Sequence, residues 1–301
     1  MEKIATCLWL DDNAKELVEF YLNTFKNVKV GDTTYYGESA AKESGRPVGT
    51  ELGISFVLEG REFLVINGGP MFKPNPTISF TINCDDNNEI EDLFNKLSDG
   101  GRVMMPLSSY PFAEKFGWVS DKFGISWQLN LNKREQKIAP SLMFCREQFG
   151  KCEEAINFYV SQFPNSNVVS ITRYGADDEF GQEGTVKHAI FSLNGEEFMA
   201  IDAMGAHEFS FTEGTSFMVF GANQEEIDLY WSKLSHDGRG QCGWVKDKFG
   251  LSWQIVPTVL NSMLVANNGE KSEQVMAAVM QMEKLDIEAL NKAFAAPVGA
   301  K

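Results

Sequence analysis

Three side chains in the second half of the chain have types and positions that could do chemistry. His188 lies in an apolar stretch typical of a strand, residues 186–191, and Asp202 ends the next such stretch. Side chains on neighbouring strands can face each other, so these two could form an acid/base pair. Cys242 could be a nucleophile if a base or a positive charge, such as His188 or Lys246, favoured its thiolate. The plain structural alternatives are a half-buried His188 and an unreactive, packed Cys242.

Other patterns for metals and cofactors are weak. The three histidines, His188, His207 and His236, are too far apart in sequence to give a metal-binding spacing. The glycine pattern at 238–243 resembles a dinucleotide-binding fingerprint, but it follows a predicted helix and precedes a predicted strand. That order is the reverse of what the fingerprint requires. No other glycine-rich phosphate or S-adenosylmethionine loop follows a strand, so the sequence predicts no cofactor.

The elements that position these residues are repeated. The stretch 243–255 has a near copy at 117–129, and ten of the thirteen positions are identical. Each copy reads as strand, Asp-Lys-Phe-Gly turn and strand, and the residues after the glycine alternate between apolar and polar. Trp118 and Trp244 stand beside the turn and are candidates to line a pocket, and Gln254 lies on the polar side of the last strand.

The pattern strand, helix, strand, strand, strand occurs four times along the chain. Asn13 is predicted to cap the first helix, and the glycine-rich segment 37–49 is predicted to be a loop. The sequence therefore predicts an α+β fold of two tandem glyoxalase-like domains, 1–132 and 138–257, each with two βαβββ modules that form a curved mixed sheet. A C-terminal helix follows over 270–296, and its apolar face must cover either a core or a second subunit.

Composition limits the partners. The formal net charge is −15, and such an acidic surface repels nucleic acid and anionic lipid. We find no apolar run long enough to span a membrane and no pattern of a signal peptide. The five cysteines have no paired spacing, which indicates free thiols in a reducing cytoplasm. We therefore expect a cytoplasmic protein that binds neither nucleic acid nor membranes, with a homodimer through the C-terminal helix as one option.

The motif at 242–257 resembles the PhnB-like branch of the vicinal oxygen chelate superfamily, a branch often described as 3-demethylubiquinone-9 3-methyltransferase-like. The stretches 184–189, 198–202 and 282–287 resemble the same branch, so the resemblance covers nearly the whole chain. The superfamily includes glyoxalases, bleomycin-resistance proteins and extradiol dioxygenases. The resemblance implies paired βαβββ modules, whereas function does not transfer with a fold.

The resemblance also implies where metal ligands would stand. Metal-using relatives place a His, a Glu, a His and a Glu on the first, fourth, fifth and eighth strands. The matching positions in this sequence are, for each repeat, Thr6 and Pro140, Ile66-Asn67 and Ile201-Asp202, Ser79 and Ser216, Gln128 and Gln254. Asp202 is the one good ligand among them, and a divalent site needs at least three imidazole or carboxylate groups. We therefore expect no metal.

Two classes of function remain. The first is a binding protein whose C-terminal cup holds a small organic molecule, with Trp244, Gln254 and Ser216 as ligand-binding residues. The second is an enzyme: either a metal-free isomerase or lyase that uses His188 and Asp202, or a metal-dependent glyoxalase- or dioxygenase-like enzyme.

Differences between the two repeats indicate that the functional pocket lies in the second repeat. His188, Asp202 and Cys242 stand where the first repeat has glycine, asparagine and phenylalanine. Positions that serve the fold must persist in both copies, whereas positions that serve one ligand need survive in one copy only. We therefore expect the pocket in the C-terminal domain, with the N-terminal domain as its structural partner.

Overall fold

The computed structural model describes residues 4–178, 181–236, 240–265 and 269–297. The strands in these ranges are β1 (Ala5–Leu10), β2 (Val28–Tyr35), β3 (Glu51–Leu58), β4 (Arg61–Asn67), β5 (Ile78–Cys84), β6 (Arg102–Tyr110), β7 (Ala113–Ser120), β8 (Ser126–Leu131), β9 (Ile138–Phe144), β10 (Asn167–Arg173), β11 (Val186–Leu193), β12 (Glu196–Asp202), β13 (Thr215–Gly221), β14 (Trp244–Lys246) and β15 (Ser252–Pro257). The helices are α1 (Ala14–Thr24), α2 (Glu38–Ser44), α3 (Asn87–Ser98), α4 (Cys152–Gln162), α5 (Gln224–Leu234), α6 (Leu260–Leu264), α7 (Glu270–Val279) and α8 (Ile287–Ala295).

The predicted α+β class and the repeated modules are confirmed, with one difference in the fourth module. Modules 1 to 3 begin at β1, β5 and β9, and each carries three strands after its first helix. Module 4 begins at β13 and has two such strands, β14 and β15, among the described residues. The long β6–β7 hairpin of module 2 explains the difference, because the second repeat lacks the residues that build it.

Two local predictions were wrong because tertiary packing decided them. The segment 37–49, predicted as a loop, contains α2, whose Ala40 and Ala41 pack against Met276 of α7. The predicted single helix over 270–296 is divided into α7 and α8. The break between them lets both helices turn back onto the same sheet, and Leu285 in the break is fully buried there.

The strands form two mixed sheets, and each sheet combines modules from both repeats. Sheet A has seven strands in the order β14-β15-β13-β1-β4-β3-β2, and sheet B has eight in the order β10-β11-β12-β9-β5-β8-β7-β6. At the junctions, β1 pairs antiparallel with β13 and β5 pairs antiparallel with β9. Modules 1 and 4 thus build sheet A, and modules 2 and 3 build sheet B. The expectation that each cup belongs to one repeat is therefore corrected, since strand pairing crosses between the repeats.

One continuous core lies between the two sheets and includes the helices α1, α3, α4 and α5. Within the first repeat, Phe63 of sheet A meets Phe80 of sheet B with ring centroids 5.3 Å apart. Within the second repeat, Phe198 and Phe217 make the equivalent contact at 5.4 Å. Each repeat therefore contributes its own aromatic half of the core, although neither repeat has a sheet of its own.

A buried aspartate explains why the long repeated motif has the same residues twice. In the second repeat, Asp247 Oδ1 accepts hydrogen bonds from the backbone N–H groups of Phe249 and Leu251. Its Oδ2 accepts from the Tyr159 hydroxyl and from Trp253 Nε1, both at 2.8 Å. Asp121 makes the same four contacts in the first repeat, with Tyr21 and Trp127 as side-chain donors. The motif is therefore a structural unit that fastens a turn, a strand and a helix to each other.

An ion pair between a buried arginine and a half-buried glutamate joins the two repeats. Arg61 and Glu196 each begin the fourth strand of their repeat, and Arg61 Nη1 lies 2.9 Å from Glu196 Oε2. The Arg61 guanidinium also stands 5.2 Å from the ring centre of Phe198. Equivalent positions of two identical chains would carry like charges, so this complementary pair depends on the two repeats having diverged within one chain.

The C-terminal helices cover the outer face of sheet A. Val275, Val279 and Leu290 pack against Met218 and Val256 of that sheet in a second apolar cluster. This apolar face, which we expected to cover a core or a second subunit, thus covers the protein's own sheet. Within the described ranges, no helix is long and apolar enough to cross a bilayer.

Candidate functional site

Each curved sheet has a core face toward the helices and an opposite face that is a candidate pocket. We call the opposite face of sheet A cup A and that of sheet B cup B. Because side chains alternate along a strand, the residues next to core positions point into the cups. The described helices with the main contacts to sheet B are α3 and α4, and both contribute to the core between the sheets. Cup B therefore differs from cup A, which α6, α7 and α8 cover.

The centre of cup A holds a small polar group. Gln254 Nε2 donates to Ser216 Oγ at 3.0 Å, and Cys7 of β1 lies directly across from Ser216. Burial raises the pKa of the Cys7 thiol to about 11, and the contacts with Gln254 and Ser216 oppose this rise. The group is therefore neutral near pH 7. Ser216 and Gln254, two of the predicted ligand-binding residues, stand together here, but below the C-terminal helices.

The centre of cup B repeats this arrangement with different residues. Gln128 Nε2 donates to Ser79 Oγ at 2.8 Å, and Ser141 of β9 lies across from Ser79. Trp118, paired with Gln128 on the neighbouring strand, donates from Nε1 to Ser126 Oγ at 2.7 Å. The indole nitrogen is thereby occupied.

Two of the four expected ligand positions are shifted by one residue. On the first strands, Cys7 and Ser141 point into the cups, because Thr6 points into the core and accepts a bond from Arg61. On the fourth strands, Ile66 packs in cup A next to the cover of helices, and Asn67 points the other way. By the same alternation, Ile201 rather than Asp202 points into cup B.

The resulting residues do not fit a divalent metal. Each cup offers serine and glutamine side chains at its centre, and cup A adds one thiol whose pKa is raised. Among the described residues, no three His, Cys, Asp or Glu side chains lie close enough to share an ion. Hydroxyl and amide oxygens alone are poor partners for the metals that imidazole and carboxylate sites hold.

His188 and Asp202 are not brought together. Ala189 pairs with Ala200, and both belong to the core. The residue next to Ala189, His188, therefore points into cup B, whereas Asp202, two residues beyond Ala200, points into the core. His188 shares its face with Ile190 as expected but not with Val186, because an irregularity in the β10–β11 pairing lies between Val186 and His188.

His188 stands at the exposed rim of cup B beside an ion pair. Arg134 Nη1 lies 2.7 Å from Glu197 Oε1, and both residues are half-buried. Partial desolvation by neighbouring atoms lowers the pKa of His188, and the positive charge of Arg134 lowers it further. The negative charge of Glu197 raises this pKa and so opposes both effects. The imidazole is therefore neutral at pH 7, and it is exposed rather than half-buried as predicted.

Asp202 fixes the start of a helix. Its Oδ1 accepts from the backbone N–H groups of Gly150 and Cys152, and its Oδ2 accepts from that of Val186. Burial raises the pKa of Asp202, and these backbone bonds oppose the rise. Because three backbone N–H groups donate to this buried carboxylate, Asp202 has a structural role at the start of α4.

Asn67 performs the same task in the first repeat. It accepts from Ala14 N–H at 2.9 Å, while Asn13, the predicted cap, makes no capping bond with its side chain. Its amide group donates to the Glu51 carbonyl, where Asp202 instead meets a backbone N–H. The difference between Asn67 and Asp202 therefore follows from local hydrogen bonding.

Cys242 and Trp244 lie in cup A, away from His188. Cys242 packs beside the C-terminal helices, and burial raises the pKa of its thiol. Its backbone N–H donates to the Met282 carbonyl at 2.7 Å. Trp244 meets Trp9 with ring centroids 6.1 Å apart. The six predicted site residues are thus distributed over three places: four in cup A, His188 in cup B and Asp202 in the core.

Comparison with known proteins agrees with this architecture. The family model for 3-demethylubiquinone-9 3-methyltransferase matches the chain twice, over residues 2–130 and 136–256. The chain belongs to this family. It is a PhnB-like member of the vicinal oxygen chelate superfamily, as the sequence motif predicted.

Several solved structures are similar to this chain. The PhnB protein of Bacillus cereus is 36% identical over 43% of this chain and 98% of its own, with a TM-score of 0.39. A protein from Staphylococcus aureus is 32% identical over 44% of this chain and 98% of its own, with a TM-score of 0.18. Glyoxalase I from Zea mays is 12% identical, covers 84% of this chain and 91% of its own, and has a TM-score of 0.54, which supports the tandem fold alone. No curated protein sequence matches the chain.

In this PhnB-like protein, sequence reasoning missed the polar residues on the floor of cup B. Thr81 and Asn83 follow Ser79 on β5 and are buried, with 4% and 0% of their surface exposed. The equivalent residues after Ser216 in cup A are Met218 and Phe220, which pack against the C-terminal helices. Aligning the two repeats at the serine would have revealed this polar-to-apolar difference.

Proposed function

We propose that this protein binds a small organic molecule in cup B, without a metal. The observation that carries the proposal is the contrast between the two cups. In cup A, the protein's own α6, α7 and α8 supply the apolar groups that cover the sheet. Cup B has the same central serine–glutamine pair, but polar residues occupy the positions that the helices cover in cup A. Cup B is therefore the pocket available to a separate molecule.

The walls of cup B suit an organic molecule with a flat apolar part. Trp118 stands on one side of the central group, and Met105 pairs with it on the edge strand β6. On the other side, Ala139, Ile190 and Met199 form a small apolar cluster of their own. Pockets for small molecules combine such apolar walls with a few polar groups that fix orientation.

Binding is favoured over acid–base catalysis by the placement of the candidate catalytic groups. His188 belongs to cup B, whereas Asp202 is engaged by three backbone N–H groups on the other face of the sheet. Cys242 lies in cup A. Methyl transfer has no support either: Gly240 and Gly243 lie between α5 and β14, and Gly238 is outside the described residues.

The test begins with a thermal-shift screen of a metabolite panel. A ligand at 100 times its dissociation constant stabilises the folded protein by about 2.7 kcal/mol. Each hit is then measured by quenching of tryptophan fluorescence in two matched variants, W118F for cup B and W244F for cup A. We expect quenching to be lost in W118F and retained in W244F. Hits that behave in the opposite way, or that quench neither tryptophan, would overturn the proposal.

A further inference from the structure

The floor of cup B also indicates what the bound molecule must offer, an inference that rests on the function proposed above. We propose that the molecule carries hydrogen-bond donors of the amide or amine type on a flat apolar body, and that it is not a carboxylate. The side-chain oxygen atoms of Thr81 and Asn83 would accept hydrogen bonds from these donors.

Two oxygen atoms on the floor lack partners. The Thr81 hydroxyl and the Asn83 side-chain carbonyl are buried, and neither makes a hydrogen bond within the described residues. The Asn83 amide is oriented by its own nitrogen, because Nδ2 donates to the Gln136 carbonyl at 3.0 Å. Oδ1 is therefore the free atom, and it can only accept. Buried polar atoms without partners are rare and destabilise a folded protein.

The fold does not require polar residues at these two positions. Strand β13 occupies the equivalent place in sheet A, and its serine Ser216 corresponds to Ser79. Two and four residues further on, β13 carries Met218 and Phe220, both in the apolar cluster with the C-terminal helices. The same strand geometry thus accepts apolar residues where an apolar cover follows. By the same reasoning, the polar residues Thr81 and Asn83 in cup B indicate a bound molecule with polar groups.

The charges around cup B argue against an anionic molecule. Arg134 is already paired with Glu197 at the rim. The free Asn83 oxygen would repel a carboxylate, whereas an N–H group would satisfy it. The protein as a whole carries a formal charge of −15, which also disfavours anions.

Access to the floor requires side chains to move. Thr81 pairs with Gln128 on one side and with Ala139 on the other, and Met199 packs on Ala139. Gln128 and Met199 are unbranched at Cβ, and methionine in particular adapts easily to a new neighbour. Turning these two side chains aside would open a path from Trp118 to the Thr81 hydroxyl. Asn83 lies two residues further along β5, beside Asn130 and the Gln136 carbonyl, so a molecule must extend along the strand to meet its oxygen.

The test compares aryl carboxamides with the carboxylates of the same aryl groups, which share a shape but differ in donors. Affinities are measured by Trp118 quenching in W244F, and again after adding T81V, which removes the hydroxyl and preserves the shape. We expect the carboxamides to bind more tightly and T81V to weaken them five- to thirtyfold. Because T81V removes an unpartnered buried hydroxyl, we also expect it to raise the melting temperature of the free protein.

A matched control is T77V, at the residue immediately before the same strand. The Thr77 hydroxyl donates to Asn75 Oδ1 at 2.6 Å, so T77V should lower the melting temperature and leave probe affinity unchanged. Equal binding of both probe classes, or an unchanged carboxamide affinity in T81V, would overturn the donor inference while leaving binding in cup B intact. Failure of both classes to quench Trp118 would count against the proposed function itself.

Discussion

Replacing Asp247 by Asn tests the buried carboxylate that fastens the repeated motif. The substitution keeps size and shape but removes the charge and turns one acceptor into a donor. Oδ1 can still accept from Phe249 and Leu251, whereas the new amide nitrogen would face Trp253 Nε1, which is also a donor. The Tyr159 hydroxyl can rotate and accept instead.

The magnitude follows from these four bonds. Each bond to a charged group contributes about 1.5–3 kcal/mol against about 1 kcal/mol for a neutral one, and an orphaned buried donor costs about 1–3 kcal/mol. Burial raises the pKa of Asp247, which means that the buried charge itself is unfavourable. Removing the charge therefore offsets part of the stability lost with the hydrogen bonds. We therefore expect D247N to lower the free energy of unfolding by about 3 kcal/mol.

Urea denaturation measures the effect as a lower midpoint at an unchanged slope. D121N should lose a similar amount, since its four contacts are the same. D92N is the control, because Asp92 is exposed and its pair with Lys96 lies on a helix surface. A D247N protein within about 0.5 kcal/mol of D92N would refute the view that the carboxylate anchors the motif.

Four further outcomes are expected. R61E should destabilise the protein by about 3–5 kcal/mol, and the swapped variant R61E/E196R should regain most of this in urea denaturation; no recovery would contradict a direct pairing. The isolated half 1–132 should not be a stable monomer in light scattering, because β1 loses its partner β13 and β5 loses its partner β9, which leaves an unpaired edge on each strand; a native-like monomer would contradict this. Removing 258–301 should uncover cup A and raise the fluorescence of a hydrophobic dye, and unchanged fluorescence would argue against the cover. His188 should titrate by NMR below 6.5, because its folded pKa is lowered; its contribution to stability is then present above pH 6.5 and lost as the pH falls toward the folded value.

The sequence was sufficient for most of the elements whose pattern depends on neighbours along the chain. Alternation of apolar residues located the strands, and the spacing of apolar residues located α1, α3, α4 and α5. The near identity of 117–129 and 243–255 revealed the duplication, and the long motif at 242–257 identified the family. Each of these features is carried by a short, continuous stretch of sequence, so it can be recognised without knowledge of what packs on it.

The placement of the candidate residues was decided by the tertiary structure. A shift of one residue moves a side chain to the other face of a sheet, and this separates His188 from Asp202 and selects Cys7 in place of Thr6. The two aspartates of the repeated motif, Asp121 and Asp247, accept hydrogen bonds from Tyr21 and Tyr159. These tyrosines lie on helices about a hundred residues earlier in the chain, so nothing in the sequence indicated the contact.

The partners of the modules could not be read from the sequence either. In a duplicated chain, the first strand of a module can pair with the equivalent strand of its own repeat or of the other repeat. Both choices present the same unpaired strand edge, so the sequence does not distinguish them. Here β1 pairs with β13 and β5 with β9, so each cup is shared between the repeats. The C-terminal helices then cover cup A. The modules and their order could be read from the sequence alone, whereas the pairing of strand edges and the burial of the last apolar faces were decided by the tertiary structure.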